Sequence, residues 1–328
     1  MRVAAVDCGT NSLRLLVADV DPGTGRLVTV HREARIVRLG EGVDRTGELA
    51  PEAVARVLAV TAVYARRCEE AGVERVRFVA TSAARDATNS GLLVRGVHGV
   101  LGVEPEVLTG AEEARLSFVG AVRGLPAGAV PPGPCLVVDV GGGSTEVVLG
   151  ASSEPDGARD AGPLVAAAVS VDVGSVRLTE RHLRSDPPTG AELAAARADV
   201  TAALDVVAGA VDLARARALV GVAGTVTTIT AHALGLPADD PARVHGAVLT
   251  VAAARAACAD LLGATRAERA ALPGMPAGRA DVIGAGALVW DQVIERVAGS
   301  AGLRQVVTSE QDILDGVARA LAGAATGA

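Results

Sequence analysis

The distribution of apolar and polar positions predicts three consecutive strands followed by helices. Apolar runs at residues 2–8, 13–20 and 26–38 are separated by turn-forming residues, so they favour an antiparallel meander. Pro51 begins an amphipathic helix that runs to about Gly72. The pattern then predicts a buried strand at 76–81, a helix at about 90–101, a short strand at 104–108 and a helix from Gly110.

The same order of elements recurs after the proline-rich segment 126–135. A second strand–loop–strand unit begins at Cys135, and the polar stretch 152–162 is typical of a hairpin tip. Later predicted elements are strands at 217–222 and 305–309 and helices at roughly 174–184, 189–213, 225–235, 250–263, 281–298 and 311–323. We therefore predict a duplicated α/β fold with a cleft between domains 1–125 and 126–328, the helix at 311–323 packing back on the first.

Two loops in these units are copies of one pattern. In DCGTNS, Asp7, Gly9 and Ser12 align with Asp139, Gly141 and Ser144 of DVGGGSTE at a constant offset of 132 residues. Glycines let backbone N–H groups approach an anion closely, a hydroxyl adds a donor, and a carboxylate can hold Mg²⁺. The pair of loops therefore predicts phosphate binding between the two domains, although the first loop alone could be a tight hairpin turn and the second a flexible linker.

Composition excludes several classes of protein. The chain of 328 residues has no lysine, so it cannot carry the lysine of a Walker-type phosphate loop. The net charge of −7 and the four aromatic residues argue against nucleic-acid binding. No apolar run reaches membrane-spanning length, and the four cysteines lack metal-binding spacing, so we expect no membrane partner and a reducing cytoplasm.

Other polar residues have an ordinary interpretation beside a functional one. Glu112 and Glu113 begin a helix, where carboxylates complement the dipole, but one of them could also activate water. Arg85 could be solvated, or it could bind phosphate in a chain without lysine. GVAGTVT at 221–227 could be a capped helix start or an anion site. The five histidines show no metal-ligand spacing.

Seven segments together resemble the exopolyphosphatase/guanosine pentaphosphate phosphohydrolase family, within the actin/Hsp70/sugar-kinase superfamily. The segments are DCGTNSLRLLVADV, VATSAARDATN, TGAEEARLSFVGA, DVGGGSTEVVLG, VDVGSVRLTE, GVAGTVTTITA and RADVIGAGALVW. The resemblance implies duplicated ribonuclease-H-like domains and Mg²⁺ as cofactor. The family's base matches Glu113, its phosphate-binding residues match Asn11, Ser12, Arg85, Gly141, Gly142, Gly143 and Ser144, and its Mg²⁺-associated acids match Asp7, Asp139 and Glu146.

The resemblance implies Mg²⁺-dependent hydrolysis of the terminal phosphate of inorganic polyphosphate. Hydrolysis of guanosine pentaphosphate, a metabolite kinase and a non-catalytic binder of polyphosphate or guanosine penta- and tetraphosphate are the alternatives. A retained Glu113 argues against a pure binder, which needs no base. Larger family members continue with a helical HD-type domain, so we expect this shorter chain to prefer short-to-medium polymers. A homodimer is an assembly that the sequence leaves open.

Overall fold

The computed structural model describes residues 1–151, 165–238 and 240–323, so the expected hairpin tip at 152–162 lies outside the described residues. Internal contacts divide the chain into two compact units. The first unit holds residues 1–116 and the segment from Ile313 onward, and the second holds residues 117–312. The division falls within a helix at Leu116, before the proline-rich segment 126–135.

The first unit is a five-stranded sheet with helices. Its elements up to the division are β1 (Arg2–Cys8), β2 (Ser12–Val20), β3 (Leu27–Ile36), α1 (Val43–Thr46), α2 (Pro51–Glu70), β4 (Arg75–Ala80), α3 (Ser82–Asp86), α4 (Gly91–Leu101), β5 (Glu106–Val107) and the first half of α5 (Gly110–Gly124). The strand order is β3-β2-β1-β4-β5. The first three strands are antiparallel, as their short turns require, and β4 and β5 join in parallel after helical connections.

The second unit repeats this order and extends it. Its elements are β6 (Pro134–Val140), β7 (Thr145–Ala151), β8 (Val165–Val171), α6 (Ser175–His182), α7 (Gly190–Ala210), a 3₁₀ turn (Leu213–Arg215), β9 (Ala218–Val222), α8 (Ala223–Ala233), α9 (Pro241–Val244), β10 (Val248–Thr250), α10 (Val251–Gly263), α11 (Arg266–Ala271), α12 (Ile283–Ala301) and β11 (Gln305–Thr308). The strand order is β10-β11-β9-β6-β7-β8.

The duplicated ribonuclease-H-like architecture predicted from the sequence is confirmed. In each unit three strands form an antiparallel meander, and the first strand of that meander also pairs in parallel with a later strand. In the second unit β10 is an additional antiparallel strand at the edge of the sheet. The pattern did not predict β8, β10, α1, α9 or α11. The helices α1, α9 and α11 and the strand β10 each span too few positions to show an apolar period. The strand β8 is only half-buried along most of its length, so its apolar alternation is weak.

Apolar burial explains the stability of both units. Val, Leu and Ala fill most of each core, because the chain has few aromatic residues. Trp290 of α12 is 1% exposed and packs in the second core, while Tyr64 of α2 is fully buried in the first. The Tyr64 hydroxyl donates a hydrogen bond of 3.0 Å to the Leu13 carbonyl, which satisfies the polar end of a buried ring.

The helix α13 (Ile313–Gly323) packs on the first unit's sheet. Ile313, Leu314 and Val317 join a core with β1 and β2 residues. Asp315 is fully buried and accepts hydrogen bonds of 2.7 and 2.6 Å from Arg32 of β3. Gly316 lies so close to the Leu116 carbonyl that a larger side chain would clash. No helix of the described residues has the length and apolar composition that a membrane span needs.

Candidate active site

The two repeated loops have the same backbone geometry. In the first, the Gly9 amide donates a 3.0 Å hydrogen bond to the Ser12 carbonyl, and in the second Gly141 bonds Ser144 at the same distance. The register continues this match, because Asp7 lies opposite Arg14 across β1 and β2 as Asp139 lies opposite Glu146 across β6 and β7. The repeat read from the sequence therefore extends to individual hydrogen bonds.

The carbonyl groups of Gly141, Gly142 and Gly143 in the second loop are held by residues at the start of α6. The Ser175 amide donates to the Gly141 carbonyl at 3.0 Å, and the Val176 and Arg177 amides donate to the Gly142 carbonyl at 2.8 and 3.1 Å. The Arg177 Nε donates to the Gly143 carbonyl at 2.7 Å. The three backbone amides lie at the N-terminus of α6, where they have no hydrogen-bond acceptor within the helix and would otherwise bond to solvent or a ligand.

This arrangement decides which polar groups the loop can offer to an anion. Within the described part of the chain, the amide N–H groups of Gly142, Gly143 and Ser144 donate no hydrogen bond to another backbone carbonyl. Successive backbone N–H groups of this kind form a concave anion-binding surface. The predicted phosphate-binding residues Gly141, Gly142, Gly143 and Ser144 thus form one continuous loop with the required donors.

Close backbone packing holds the second loop against α6. A Cβ atom added to Gly174 would lie 2.6 Å from the carbonyl carbon and oxygen of Gly142 and 2.8 Å from the Gly143 nitrogen. All of these are backbone atoms, so no side-chain rotation could relieve the contact. A glycine is therefore required at position 174 because the backbones of Gly174 and Gly142 approach each other closely. The backbone conformation itself does not require glycine, since it is extended and open to any residue.

The first loop is held by the segment after β3. The Gly40 amide donates to the Thr10 carbonyl at 2.8 Å, and the Val37 and Arg38 amides both donate to the Asn11 carbonyl at 2.9 Å. Arg38 has a φ of +48°, which is strained for a residue with a long side chain. The predicted phosphate-binding residues Asn11 and Ser12 complete this turn at the start of β2.

Two carboxylates and a serine beside the second loop form a row across three strands. Asp139 lies opposite Glu146, which in turn lies opposite Ser170 of β8. The Ser170 hydroxyl donates to Glu146 at 2.7 Å, and the Ser117 hydroxyl of α5 donates to Asp139 at 2.5 Å. Asp139 and Glu146 are 7% and 1% exposed. Two carboxylates on directly opposed positions repel each other, and a hard cation bound between them would relieve that repulsion.

The carboxylate beside the first loop has a basic neighbour instead. Asp7 is 3% exposed, and its Oδ2 accepts hydrogen bonds from the Nε and Nη2 atoms of Arg14 at 2.9 and 2.6 Å. The guanidinium balances the charge of Asp7 within the first unit.

The facing pair Asp139 and Glu146 has the oxygen ligands that the predicted Mg²⁺ would need. Mg²⁺ commonly uses one or two carboxylates and completes its shell with water and substrate phosphate, which the facing Asp139 and Glu146 allow. No group of three acidic, histidine or cysteine side chains suited to a metal occurs among the residues that the structure describes. Asp7, the remaining predicted metal-associated acid, belongs to the first unit, where Arg14 bonds it.

Glu112 and Glu113 have different surroundings. Glu112 accepts hydrogen bonds from the backbone N–H and hydroxyl of Thr109 at 3.0 and 2.8 Å, and its own amide bonds the Thr109 hydroxyl at 3.3 Å. This is a capping box, and its hydrogen bonds to Thr109 lower the pKa of the Glu112 carboxyl.

Glu113 lies in the interior of the first unit. It is 8% exposed, and its Oε2 accepts a 2.8 Å hydrogen bond from the Nη1 atom of Arg85. Arg85 also donates to the Leu108 carbonyl at 3.0 Å, so the guanidinium is fixed between a strand end and the carboxylate. The structure thus brings together the predicted base and the predicted phosphate-binding arginine in one ion pair.

The third Gly/Thr turn begins α8 and contains strained backbone. Ala223 has a φ of +68°, a conformation that a Cβ atom makes unfavourable. Arg279 donates from Nη1 to the Gly224 carbonyl at 3.0 Å and to the Thr228 hydroxyl at 2.7 Å. A Cβ atom added to Gly224 would overlap this guanidinium, so the Arg279 side chain would have to move.

Several residues beside the loops were not singled out from the sequence. They are Arg14, Ser117, Gly174, Ser175 and Arg177. Gly174 and Arg177 occur in VDVGSVRLTE, a segment that carried the family resemblance without a role assigned to its residues. Ser117 follows Glu113 by one turn of α5, a spacing that could have drawn attention to it.

Comparisons with known proteins show which family the chain resembles. The model of the Ppx/GppA phosphatase family matches residues 16–319. Exopolyphosphatase 2 of Mycobacterium tuberculosis is 49% identical over 330 residues, covering 98% of this chain and 99% of that protein. The crystal structure of an exopolyphosphatase-like protein has a TM-score of 0.91 at 41% identity, covering 99% of this chain and 100% of that one.

A second solved structure extends the comparison. It is a Ppx/GppA family member from Aquifex aeolicus, which has a TM-score of 0.77 at 29% identity and covers 100% of this chain and 99% of that one. The family match spans more than half of the chain, and the relatives align over nearly all of it. The chain therefore belongs to the Ppx/GppA phosphatase family.

Proposed function

We propose that the protein is an exopolyphosphatase, which hydrolyses the terminal phosphoanhydride bond of inorganic polyphosphate. The observation that carries this proposal is the second loop, where α6 holds the carbonyls of Gly141, Gly142 and Gly143 and leaves successive amides for an anion. A relative that is 49% identical over nearly its full length is an exopolyphosphatase by name, which supports the same substrate.

The proposed reaction adds water across one P–O–P bond. Glu113 orients a water molecule and accepts its proton as the oxygen attacks the terminal phosphorus. The bond to the bridging oxygen breaks, and the products are inorganic phosphate and a polymer shorter by one phosphate. The ion pair with Arg85 holds the Glu113 carboxylate in one position, and positioning supplies much of the catalysis in phosphoryl transfer.

Mg²⁺ is part of the proposal as a cofactor held by Asp139 and Glu146. When bound, it would neutralise negative charge on phosphate oxygens. The two carboxylates supply hard oxygen ligands from adjacent strands, and the serines that bond them orient their oxygen atoms.

The test is phosphate release from a panel of substrates by the purified protein. Polyphosphates of defined length, guanosine pentaphosphate and ATP are each assayed across a Mg²⁺ titration. We expect fastest release from polyphosphate, dependence on Mg²⁺, and a preference for short-to-medium chains. Faster release from guanosine pentaphosphate would favour the nucleotide instead, and no release from any polyphosphate would overturn the proposal. Light scattering of the same sample tests for a homodimer.

A further inference from the structure

We propose that Arg177 is a positioning residue whose Nε–H orients the second loop for phosphate, and the proposal rests on the function proposed above. Arg177 lies in the first turn of α6, and its Nε donates to the Gly143 carbonyl at 2.7 Å.

Peptide geometry connects this hydrogen bond to the substrate. In a trans peptide the C=O and N–H groups point in opposite directions. Holding the Gly143 carbonyl toward α6 therefore points the Ser144 N–H away from α6. The same relation couples the Gly141 and Gly142 carbonyls to the N–H groups of the residues that follow them. The hydrogen bonds to these three carbonyl groups therefore orient the three N–H groups of residues 142–144 away from α6.

The loop needs this restraint because of its composition. Three consecutive glycines have no Cβ atoms to limit their φ and ψ angles, so each peptide plane can rotate readily. A rotated peptide would present a carbonyl oxygen to the phosphate in place of an N–H group, and the two negative oxygens would repel. The Gly141 and Gly142 carbonyls are held by backbone amides, which no substitution except proline removes.

The Gly143 carbonyl depends on a side chain, which distinguishes the second loop from the first. At the equivalent position of the first loop, the Asn11 carbonyl accepts from the backbone amides of Val37 and Arg38. In the second loop the corresponding bond comes from the Arg177 side chain. A point mutation can therefore release this one peptide while the rest of the loop stays held.

Three substitutions separate hydrogen bonding from charge. In Arg177→Gln the side-chain nitrogen follows Cδ, as Nε does in arginine, so the donor stays and the charge is lost. Arg177→Lys keeps the charge but has a methylene at that point, and Arg177→Met has neither. We expect kcat/KM on polyphosphate to fall about 10-fold or more in the lysine and methionine variants, the scale of a lost charge-assisted hydrogen bond. Arg177→Gln should retain clearly more activity than both.

Other orders of activity would overturn the proposal. If Arg177→Lys is the most active variant, the residue acts through its charge. If all three variants match the wild type per folded molecule and only the melting temperature changes, the role is structural. Arg181, four residues later in α6, bonds Asp199 at 3.0 Å, so Arg181→Gln is the matched control and should keep its activity. A wild-type protein inactive on polyphosphate would refute the proposed function, and binding of tripolyphosphate by calorimetry would then test loop orientation in the same variants.

Discussion

The two phosphate-type loops share one backbone design but differ in the charge of the residue that faces their aspartate. Position for position, Asp7 faces Arg14 in the first unit, whereas Asp139 faces Glu146 in the second. The first acid is neutralised by a guanidinium within the protein, and the second has a like charge opposite it. The comparison indicates that the two copies of the loop have diverged in the residue that faces their aspartate. Under the proposed function, Asp139 and Glu146 would hold Mg²⁺, whereas Arg14 already bonds the equivalent Asp7.

The largest expected effect comes from the carboxylate of the first unit. Glu113→Gln should lower kcat by about 10²-fold or more, because a general base is lost, while polyphosphate still binds. Single-turnover phosphate release and a binding titration measure the two properties separately. Glu112→Gln is the matched control, since that side chain caps α5 at Thr109 and should change turnover little. A reversal of the two results would assign the base to the other glutamate.

The second prediction tests whether the two aspartates differ as their partners do. Asp139→Asn should raise the Mg²⁺ concentration needed for half-maximal activity and reduce turnover, because a hard ligand loses its charge. Asp7→Asn should instead lower the free energy of unfolding by about 2 kcal/mol, since the guanidinium of Arg14 loses its charged acceptor. Equal shifts in the Mg²⁺ titration for both variants would mean that the loops are electrostatically equivalent after all.

The third prediction concerns the glycines that hold each loop. Gly174→Ala should reduce kcat/KM by about 10-fold and destabilise the fold by about 1–3 kcal/mol, because its Cβ would press on the backbone of Gly142 and Gly143. At Gly40 the added Cβ meets mainly the Thr10 side chain, which can rotate, so Gly40→Ala should be milder. Gly190→Ala, with open space around its Cβ, controls for the substitution itself. Equal losses at Gly40 and Gly174 would contradict this distinction.

The smallest expected effects come from matched capping boxes, one formed by Thr109 and Glu112 of α5 and one by Thr189 and Glu192 of α7 in the second unit. Hydrogen bonds, chiefly from the Thr189 backbone N–H, lower the pKa of Glu192 to about 2. Because the pKa of Glu192 is lowered in the folded state, its ionised carboxylate stabilises the fold at pH values above the unfolded pKa of about 4.5. That stabilisation is lost as the pH falls through the folded-state pKa.

Glu192→Gln should therefore lower the melting temperature slightly at pH 7. The difference from the wild type should shrink between pH 4.5 and about 2, where Glu192 becomes protonated in both states. Glu112→Gln should behave similarly, because the pKa of Glu112 is lowered by the same kind of contact. Thermal melts followed by circular dichroism across this pH range measure both. A difference that persists at the acid end would show that the carboxylate charge is not the source.

The sequence by itself determined the duplicated units, the two loops and most of the long elements. These features depend on interactions between neighbours in the chain: apolar periodicity, turn residues and the repeat that aligns Asp7 with Asp139. The helix at 311–323 and the glutamate pair were also visible as local patterns. Such patterns state what a segment can form and leave open what packs against it.

Only the tertiary structure decided which partner each polar group has. Glu112 and Glu113 are adjacent and chemically identical, yet helix geometry turns one to its own cap and the other to Arg85, 28 residues away. The Arg177 bond to Gly143 joins residues 34 apart, and Arg32 meets Asp315 across 283 residues. These contacts depend on strand register and on which faces of packed elements meet, and both are set by burying apolar surface across the whole unit rather than by local preference.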